Sequence, residues 1–267
     1  MYQAERQELI ARAVRDAGRV SVRELAEQFD ITTETVRRDL QALEEGGALR
    51  RVHGGAIAAS RASLVERAVD ERLTQRGDEK ARIAARALAA IPADFDGSVL
   101  IDAGTTTGAL VQPLAERLLG RRVEIVTNAV AHAMALAGRD GIGLTVLGGR
   151  VRTVTGAAVG IDTVRAIDER RPDIAFIGAN GLSADFGLST PDADEAAVKR
   201  AMVRSARRVV ALIDASKFGD ESLQRFADLS DIDVLVTDEE PGPELADALA
   251  RHDVEVWAGS ADEGERA

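Results

Sequence analysis

From residue 97 onward the chain is organised by seven short apolar runs: SVLIDAG, VEIVTNA, LTVLGG, IAFIGAN, RVVALIDAS, DVLVTD and VEVWAG. They are rich in Val and Ile, several end in Asp, Asn, Gly or Ser, and alanine-rich stretches with helical spacing separate many of them. Strands this uniformly apolar are buried on both faces, so the pattern predicts an α/β fold with a mainly parallel sheet covered by helices. In such sheets ligands bind beyond the carboxyl ends of the strands, where the loops converge. The polar residues that close these runs are therefore the candidate site.

The sharpest of them is IDAGTTTGAL, residues 101–110. Asp102 ends a strand, Gly104 permits a tight turn, and Thr105, Thr106 and Thr107 open a helix. Amides at a helix N-terminus, helped by the helix dipole, bind phosphate, and threonine hydroxyls add donors. The stretch is neither a Walker A loop nor a GxGxxG fingerprint, so no nucleotide or other cofactor is expected. Taken alone, an ordinary threonine-capped turn explains the same residues, and Pro113 limits how regular the following helix can be.

Other strand ends add Asn128, Gly148, Gly149, Arg150, Gly178, Asn180, Gly181 and Lys217, with Lys199 on the helix after the NGLSADFGLSTPD loop. Each is compatible with a cap or a turn. Together they gather amide, hydroxyl and cationic groups suited to a small anionic polyol. Residues 59–77 are assigned as a linker, 78–258 as this domain and 259–267 as a polar tail. A charged helix is expected from about Asp78 to Ala90, and its Lys80 and Arg82 carry little weight as ligand contacts.

The first 58 residues are a different unit. Spacing predicts a helix with Leu9, Ile10, Ala13, Val14 and Ala17 on one face, ended by Gly18. A second helix follows Ser21, which forms a capping box with Glu24. A third runs from about Thr33 to Glu45 with Val36, Leu40 and Leu43 inward. Helix, short turn and helix make a helix-turn-helix. RRVHGGAI then reads as a hairpin turning on His53, Gly54 and Gly55.

Charge sharpens this reading. Nine arginines against ten acids leave residues 1–60 near −1, so the rest holds about −10 of the formal −11. An acidic chain can grip DNA only through a local patch. Burying Val36, Leu40 and Leu43 projects Thr33, Thr35, Arg37 and Arg38 outward near the start of the third helix, where major-groove readers carry their base contacts. Arginine pairs with guanine, and threonine suits phosphates or a thymine methyl. Arg50, Arg51 and His53 would then face the backbone or minor groove, with Ser21 and Thr32 at the helix starts completing the DNA-binding set. Solvated charge is the bland alternative, with Glu34 and Asp39 pairing to the arginines within the helix.

The absence of cysteine removes disulfides, thiol catalysis and cysteine metal sites. Acids at positions 5 and 8 do not fit a signal peptide, and no apolar run approaches membrane-spanning length. A cytoplasmic protein without membrane contact or a metal is expected.

Arg6, Ile10 and Val14, followed by Thr32, Thr35, Val36, Arg37, Arg38, Asp39 and Leu40, resemble the N-terminal signature of the DeoR-type bacterial transcriptional regulators, and RRVHGGA at 50–56 resembles their wing. DAGTTT, VTNA, LGGRV, GANGLS…GLSTPD…EAAVKRAM and DASKFG resemble their sensor domain, so the likeness covers nearly the whole chain apart from its tail. The resemblance implies a sensor domain similar in fold to ribose-5-phosphate isomerases and responsive to phosphorylated sugars. The NGLS…GLSTPD…EAAVKRAM version is most similar to actinobacterial fructose-operon repressors, which implies fructose 1-phosphate as effector.

Three functions are therefore in play. A repressor would present winged helices as a homo-oligomer, dimer or tetramer, to operator half-sites about one DNA turn, or a multiple of it, apart. A sugar-phosphate isomerase with a fused DNA-binding head would need a carboxylate base beside the substrate. Gly178-Ala179-Asn180-Gly181 lacks the two acids of the isomerase loop, and Lys199 falls near the position of its catalytic glutamate. Asp192, Asp194 and Glu195 keep that alternative open. The third function is a large domain that serves assembly alone, against which the polar strand ends argue.

Overall fold

The computed structural model describes residues 3–17, 19–46, 48–52, 54–58 and 75–259. The expected polar tail beyond 259 and most of the expected linker lie outside them. The chain divides into two compact units, Met1–Ala62 and Ser63–Ala267.

The first unit runs α1 (Gln3–Ala17), β1 (Arg19–Ser21), α2 (Val22–Phe29), α3 (Thr33–Glu45), β2 (Leu49–Val52) and β3 (Gly55–Ala58). Ser21 starts α2 through a capping box: its hydroxyl accepts the Glu24 amide at 3.1 Å, and the Glu24 carboxylate accepts the Ser21 amide. Asp30 stops α2 in the left-handed region, φ 49°, and Thr32 caps α3. Ile10, Val14, Leu25, Val36, Leu40, Leu49 and Ala56 form the core.

One expected core position and half of the solvated-charge alternative fail here, while Glu34 does pair with Arg37 and Arg38. Leu9 is exposed, and Ala11 is buried beside Ile10 instead. Asp39 does not pair with Arg37 or Arg38. It turns inward to Arg6 at 2.6 Å and to Gln7 at 3.1 Å, tying α3 to α1.

The hairpin gains a partner that the sequence did not announce. β1 pairs antiparallel with β3, giving the order β1-β3-β2. Gly55 permits it, since a Cβ there would lie 2.1 Å from the Val20 carbonyl oxygen.

The second unit opens with α4 (Gly77–Ala87) and continues β4 (Ser98–Ile101), α5 (Thr105–Arg117), β5 (Val123–Thr127), α6 (Val130–Leu136) and β6 (Ile142–Val146). Next come β7 (Arg150–Val151), β8 (Ala158–Val159), α7 (Ile161–Asp168), β9 (Ile174–Ile177), β10 (Gly181–Ser183), β11 (Gly187–Thr190) and α8 (Ala193–Ser205). β12 (Arg208–Leu212), β13 (Gln224–Ala227), β14 (Val234–Val236), α9 (Pro243–Arg251) and β15 (Glu255–Trp257) complete it.

The seven apolar runs form one sheet, β15-β14-β12-β9-β4-β5-β6, with every pairing parallel. Alternate strand residues feed two cores. Val99, Ile101, Phe176 and Val210 pack against α4, α5 and α6, while Leu100, Ala175, Ile177 and Ala211 pack against α7, α8 and α9. Two small antiparallel sheets are additional: β7-β8 and β10-β11-β13. The helix after the threonines continues past Pro113 to Arg117, so the proline limits it less than expected.

This order sets the site. From β4 the chain builds β5 and β6 on one side, then returns to place β9 on the other. The reversal between β4 and β9 is a topological switch point, where crevices form beyond the strand ends.

Candidate functional site

Asp102 closes β4 at that switch point and is buried. Its Oδ1 accepts the Gly104 amide at 3.0 Å and the Thr107 hydroxyl at 2.7 Å, and its Oδ2 accepts the Gly178 amide at 2.9 Å from the end of β9. Lys199, reaching across from α8, donates to the same Oδ2 and to the Gly178 carbonyl oxygen at 2.9 Å. Burial pushes the Asp102 carboxyl up, but the Lys199 charge and these hydrogen bonds outweigh it and hold it below the usual range. Asp102 thus joins β4, β9, α5 and α8 beneath a cleft.

The cleft is lined by Gly104, Thr105 and Thr106 on one side and by Gly178, Ala179, Asn180 and Lys199 on another. Asp214, Ser216 and Lys217, after β12, close a third side. Gln75, Arg76 and Lys80 around the start of α4, together with Glu195 on α8, complete it. The first-turn amides of α5 have no intrahelical acceptors, and the N-cap Gly104 brings no side chain to occupy them. Lys217 has no carboxylate partner among the described residues. Both carboxylates of the lining are engaged. Glu195 accepts from Arg152 at 2.7 Å and Thr155 at 2.6 Å, and Asp214 accepts from Ser216 and lies 3.6 Å from Arg76.

Several residues singled out in the sequence sit elsewhere. Asp102 and Thr107 lie under the floor, bonded to each other. Asn128 lines a small adjoining recess with Asp102, Glu195 and Lys199, where its Nδ2 donates to the Ala158 carbonyl oxygen. Gly148, Gly149 and Arg150 do not line the cleft. The Gly148 carbonyl oxygen accepts the Thr163 hydroxyl, a Cβ at Gly149 would collide with that hydroxyl, and Arg150 pairs with Asp194 at the surface. Gly181 lies in β10, where a Cβ would meet the Asp220 carbonyl oxygen at 2.2 Å. Arg82 is exposed and outside the lining.

Gln75, Arg76 and His132 carry no signal in the sequence, and Lys80 carries only a weak one. His132 is buried on α6 with Nδ1 lacking a hydrogen-bond partner. Burial pushes its pKa down, against opposing contributions from the Asp102 charge and the Gly104 backbone. No local spacing marks these residues, since only the folded sheet brings them to one end.

In the first unit, Thr33, Arg37 and Arg38 are exposed on α3. Glu34 lies 3.5 Å from Arg37 and 4.0 Å from Arg38, and such exposed pairs hold weakly. Ser21 and Thr32 use their hydroxyls as caps, and Thr35 is half-buried beside Thr32 at 2.9 Å. Arg51 is committed: its side chain meets Glu44 at 2.6 Å and its amide meets the same carboxylate at 2.8 Å, fastening the hairpin to α3. Those bonds, the backbone one first, lower the Glu44 pKa. His53 and the Arg50 side chain lie outside the described residues.

Comparison with known proteins follows the same division. Residues 6–62 match a DeoR-like helix-turn-helix domain, and residues 75–239 match the DeoR C-terminal sensor domain. The uncharacterized HTH-type transcriptional regulator FruR of Bacillus subtilis is 35% identical over 90% of this chain and 93% of its own length. The HTH-type transcriptional repressor GlcR of the same organism is 32% identical over 99% of both chains. The glycerol-3-phosphate regulon repressor of Escherichia coli is 33% identical over 96% of this chain and 99% of its own. Among solved structures, ribose 5-phosphate isomerase A of Methanocaldococcus jannaschii is similar with a TM-score of 0.40 at 19% identity, over 54% of this chain and 55% of that one. That likeness is too distant to bear on activity.

Proposed function

The chain belongs to the DeoR family of transcriptional regulators, and from that premise we propose that it represses a sugar-utilisation operon under the control of a phosphorylated sugar bound in the cleft. The observation that carries this reading is Lys217, a cation without a carboxylate partner among the described residues, sharing the cleft with the α5 N-terminus. A dianionic phosphoryl group satisfies both, and the Thr105 and Thr106 hydroxyls supply further donors. Asn180 and the Ala179 backbone are the groups we assign to the sugar hydroxyls.

The same lining supports sensing without turnover. Isomerisation needs a carboxylate available to take a proton, and Glu195 and Asp214 are both held by cations or hydroxyls. Arg37 and Arg38 read the operator from α3, and paired half-sites call for a dimer or tetramer. The effector prefers one of two arrangements of the DNA-binding units and so changes operator affinity, because only differential affinity shifts an equilibrium.

Fructose 1-phosphate is the first candidate effector. The glycerol-3-phosphate regulon repressor among the relatives makes glycerol 3-phosphate the second. A thermal-shift screen of these two against fructose 6-phosphate, deoxyribose 5-phosphate and tagatose phosphates, with turnover assayed in parallel, tests the reading. A melting shift without turnover supports it. Turnover would identify an enzyme, and no response at all would leave an assembly domain.

A further inference from the structure

The first described residues of the second unit, 75 and 76, are also residues of the cleft wall. Gln75 and Arg76 both line it, as does Lys80 within the first turn of α4. Arg76 is the N-cap of that helix and makes no side-chain cap. Its backbone lies in the left-handed region, φ 54° and ψ 46°. A residue with a Cβ stays there only where its surroundings hold it.

The holding contacts are ionic. The Arg76 guanidinium meets Asp238 at 2.8 Å and lies 3.6 Å from Asp214, 3.6 Å from Glu79 and 3.9 Å from Glu239. Asp238 and Asp214 are buried, whereas the guanidinium is about one-third exposed, on the cleft side. Its Nε is buried without a hydrogen-bond partner, so the fork is only partly satisfied. The Lys80 ammonium donates to the Gln75 carbonyl oxygen at 2.8 Å, fixing the same stretch of backbone. Two cleft cations therefore hold the conformation of residues 75 and 76.

A phosphoryl group in the cleft competes for both. It offers oxygens that can pair with a guanidinium in parallel, the geometry a forked donor favours. We propose that Arg76 is an effector-contacting residue that couples the cleft to the DNA-binding unit: a bound phosphoryl group draws the guanidinium from Asp238, and the Gln75–Arg76 backbone changes conformation with it. Residues 75 and 76 are the described residues of the second unit nearest in sequence to the DNA-binding unit, which is why the coupling is assigned to them. This inference rests on the cleft being the effector site.

Two substitutions separate coupling from binding. Asp238→Asn keeps an acceptor for the Ala215 amide, now at 2.8 Å, while removing the charge that holds Arg76. It should shift operator affinity of the effector-free protein several-fold toward the value of the saturated wild type, and tighten effector binding, because coupling is reciprocal. Arg76→Gln should weaken effector binding but bring the ratio of operator affinities, with and without effector, close to one. Arg76→Lys, which keeps charge but loses the fork, should lie between and serves if the glutamine variant does not fold.

The probes are fructose 1-phosphate and glycerol 3-phosphate, with inorganic phosphate as the minimal anion. The readouts are calorimetric affinity and fluorescence anisotropy on an operator selected from random duplex DNA. Wild type that binds none of the probes overturns the cleft reading and this inference with it. Wild type that binds and responds, beside an Arg76 variant with the full affinity ratio and an Asp238→Asn protein that behaves as wild type, overturns the coupling role alone.

Discussion

Lys199 meets Asp102 beneath the cleft floor, so a cation that the sequence offers as a phosphate ligand is already paired. Its remaining contacts are the Gly178 carbonyl oxygen and the Phe226 ring, whose centroid lies 5.6 Å away. The pair joins the ends of β4 and β9 to α8 and so shapes the cleft from below. Lys217, Arg76 and Lys80 are the cations that shape it from the sides.

Breaking that pair is expected to destabilise the second unit. Lys199→Met leaves the Asp102 carboxylate buried without its counter-charge, a loss of about 3–5 kcal/mol. Adding Asp102→Asn to Lys199→Met should recover part of that loss, since no buried charge is then left unpaired. Urea unfolding followed by circular dichroism measures both. Equal stability of Lys199→Met and wild type would show that the pair does not hold the floor.

Replacing Arg37 and Arg38 with alanine should remove operator binding, at roughly 1–3 kcal/mol for each lost guanine contact. Both side chains are exposed, with weak pairing to Glu34, so the melting temperature should stay close to that of wild type. The effector-induced melting shift should persist. Operator affinity retained in the double variant, measured by anisotropy, would rule out α3 as the reading element.

Thr105→Glu puts a carboxylate at the mouth of the α5 N-terminus, where the phosphoryl group is proposed to sit. A carboxylate is compatible with a helix start, so folding should be kept. Effector affinity should fall by roughly tenfold or more, or about 1.4 kcal/mol. Operator binding without effector should be unaltered. A variant that releases or gains DNA normally with sugar phosphate would place the ligand elsewhere.

His132 sets a pH dependence. Its folded pKa is lowered, chiefly by burial, while the unfolded chain takes up a proton near pH 6.5. The unfolded state therefore binds more protons below that pH, and stability, full above it, should decline as pH falls, by up to about 1.4 kcal/mol per unit. His132→Gln should flatten that limb of the profile between pH 7.5 and 5.5 in urea unfolding. Identical slopes would show that His132 is not responsible.

The contrast between the two kinds of residue explains what could be read in advance. The five inner strands are apparent because burial on both faces demands runs such as VLI, AFI and VVAL, and the edge strands β6 and β15, though only half-buried, carry the same β-branched texture. The capping box at Ser21 and the span of α3 are equally visible, being local. β10 and β11 escape because their Gly-Leu-Ser repeats look like turns, and β1 because three residues carry no period. Arg76 and Lys80 enter the cleft only through tertiary folding, and the strand-end carboxylate that Arg76 meets, Asp238, lies 162 residues away in sequence. Asp39 reads as one more surface charge until α1 brings Arg6 against it.

The most direct test of the account is an operator titration of the intact protein with and without sugar phosphate. A chain that senses through this cleft must bind one selected duplex in both conditions with affinities that differ several-fold to about a hundredfold, corresponding to coupling of roughly 1–3 kcal/mol. Thr105→Glu must need roughly tenfold or more effector to reach the same change. Should fructose 1-phosphate, glycerol 3-phosphate and the other sugar phosphates of the screen all leave the wild-type curve unmoved, a phosphorylated sugar is not the signal that this protein reads.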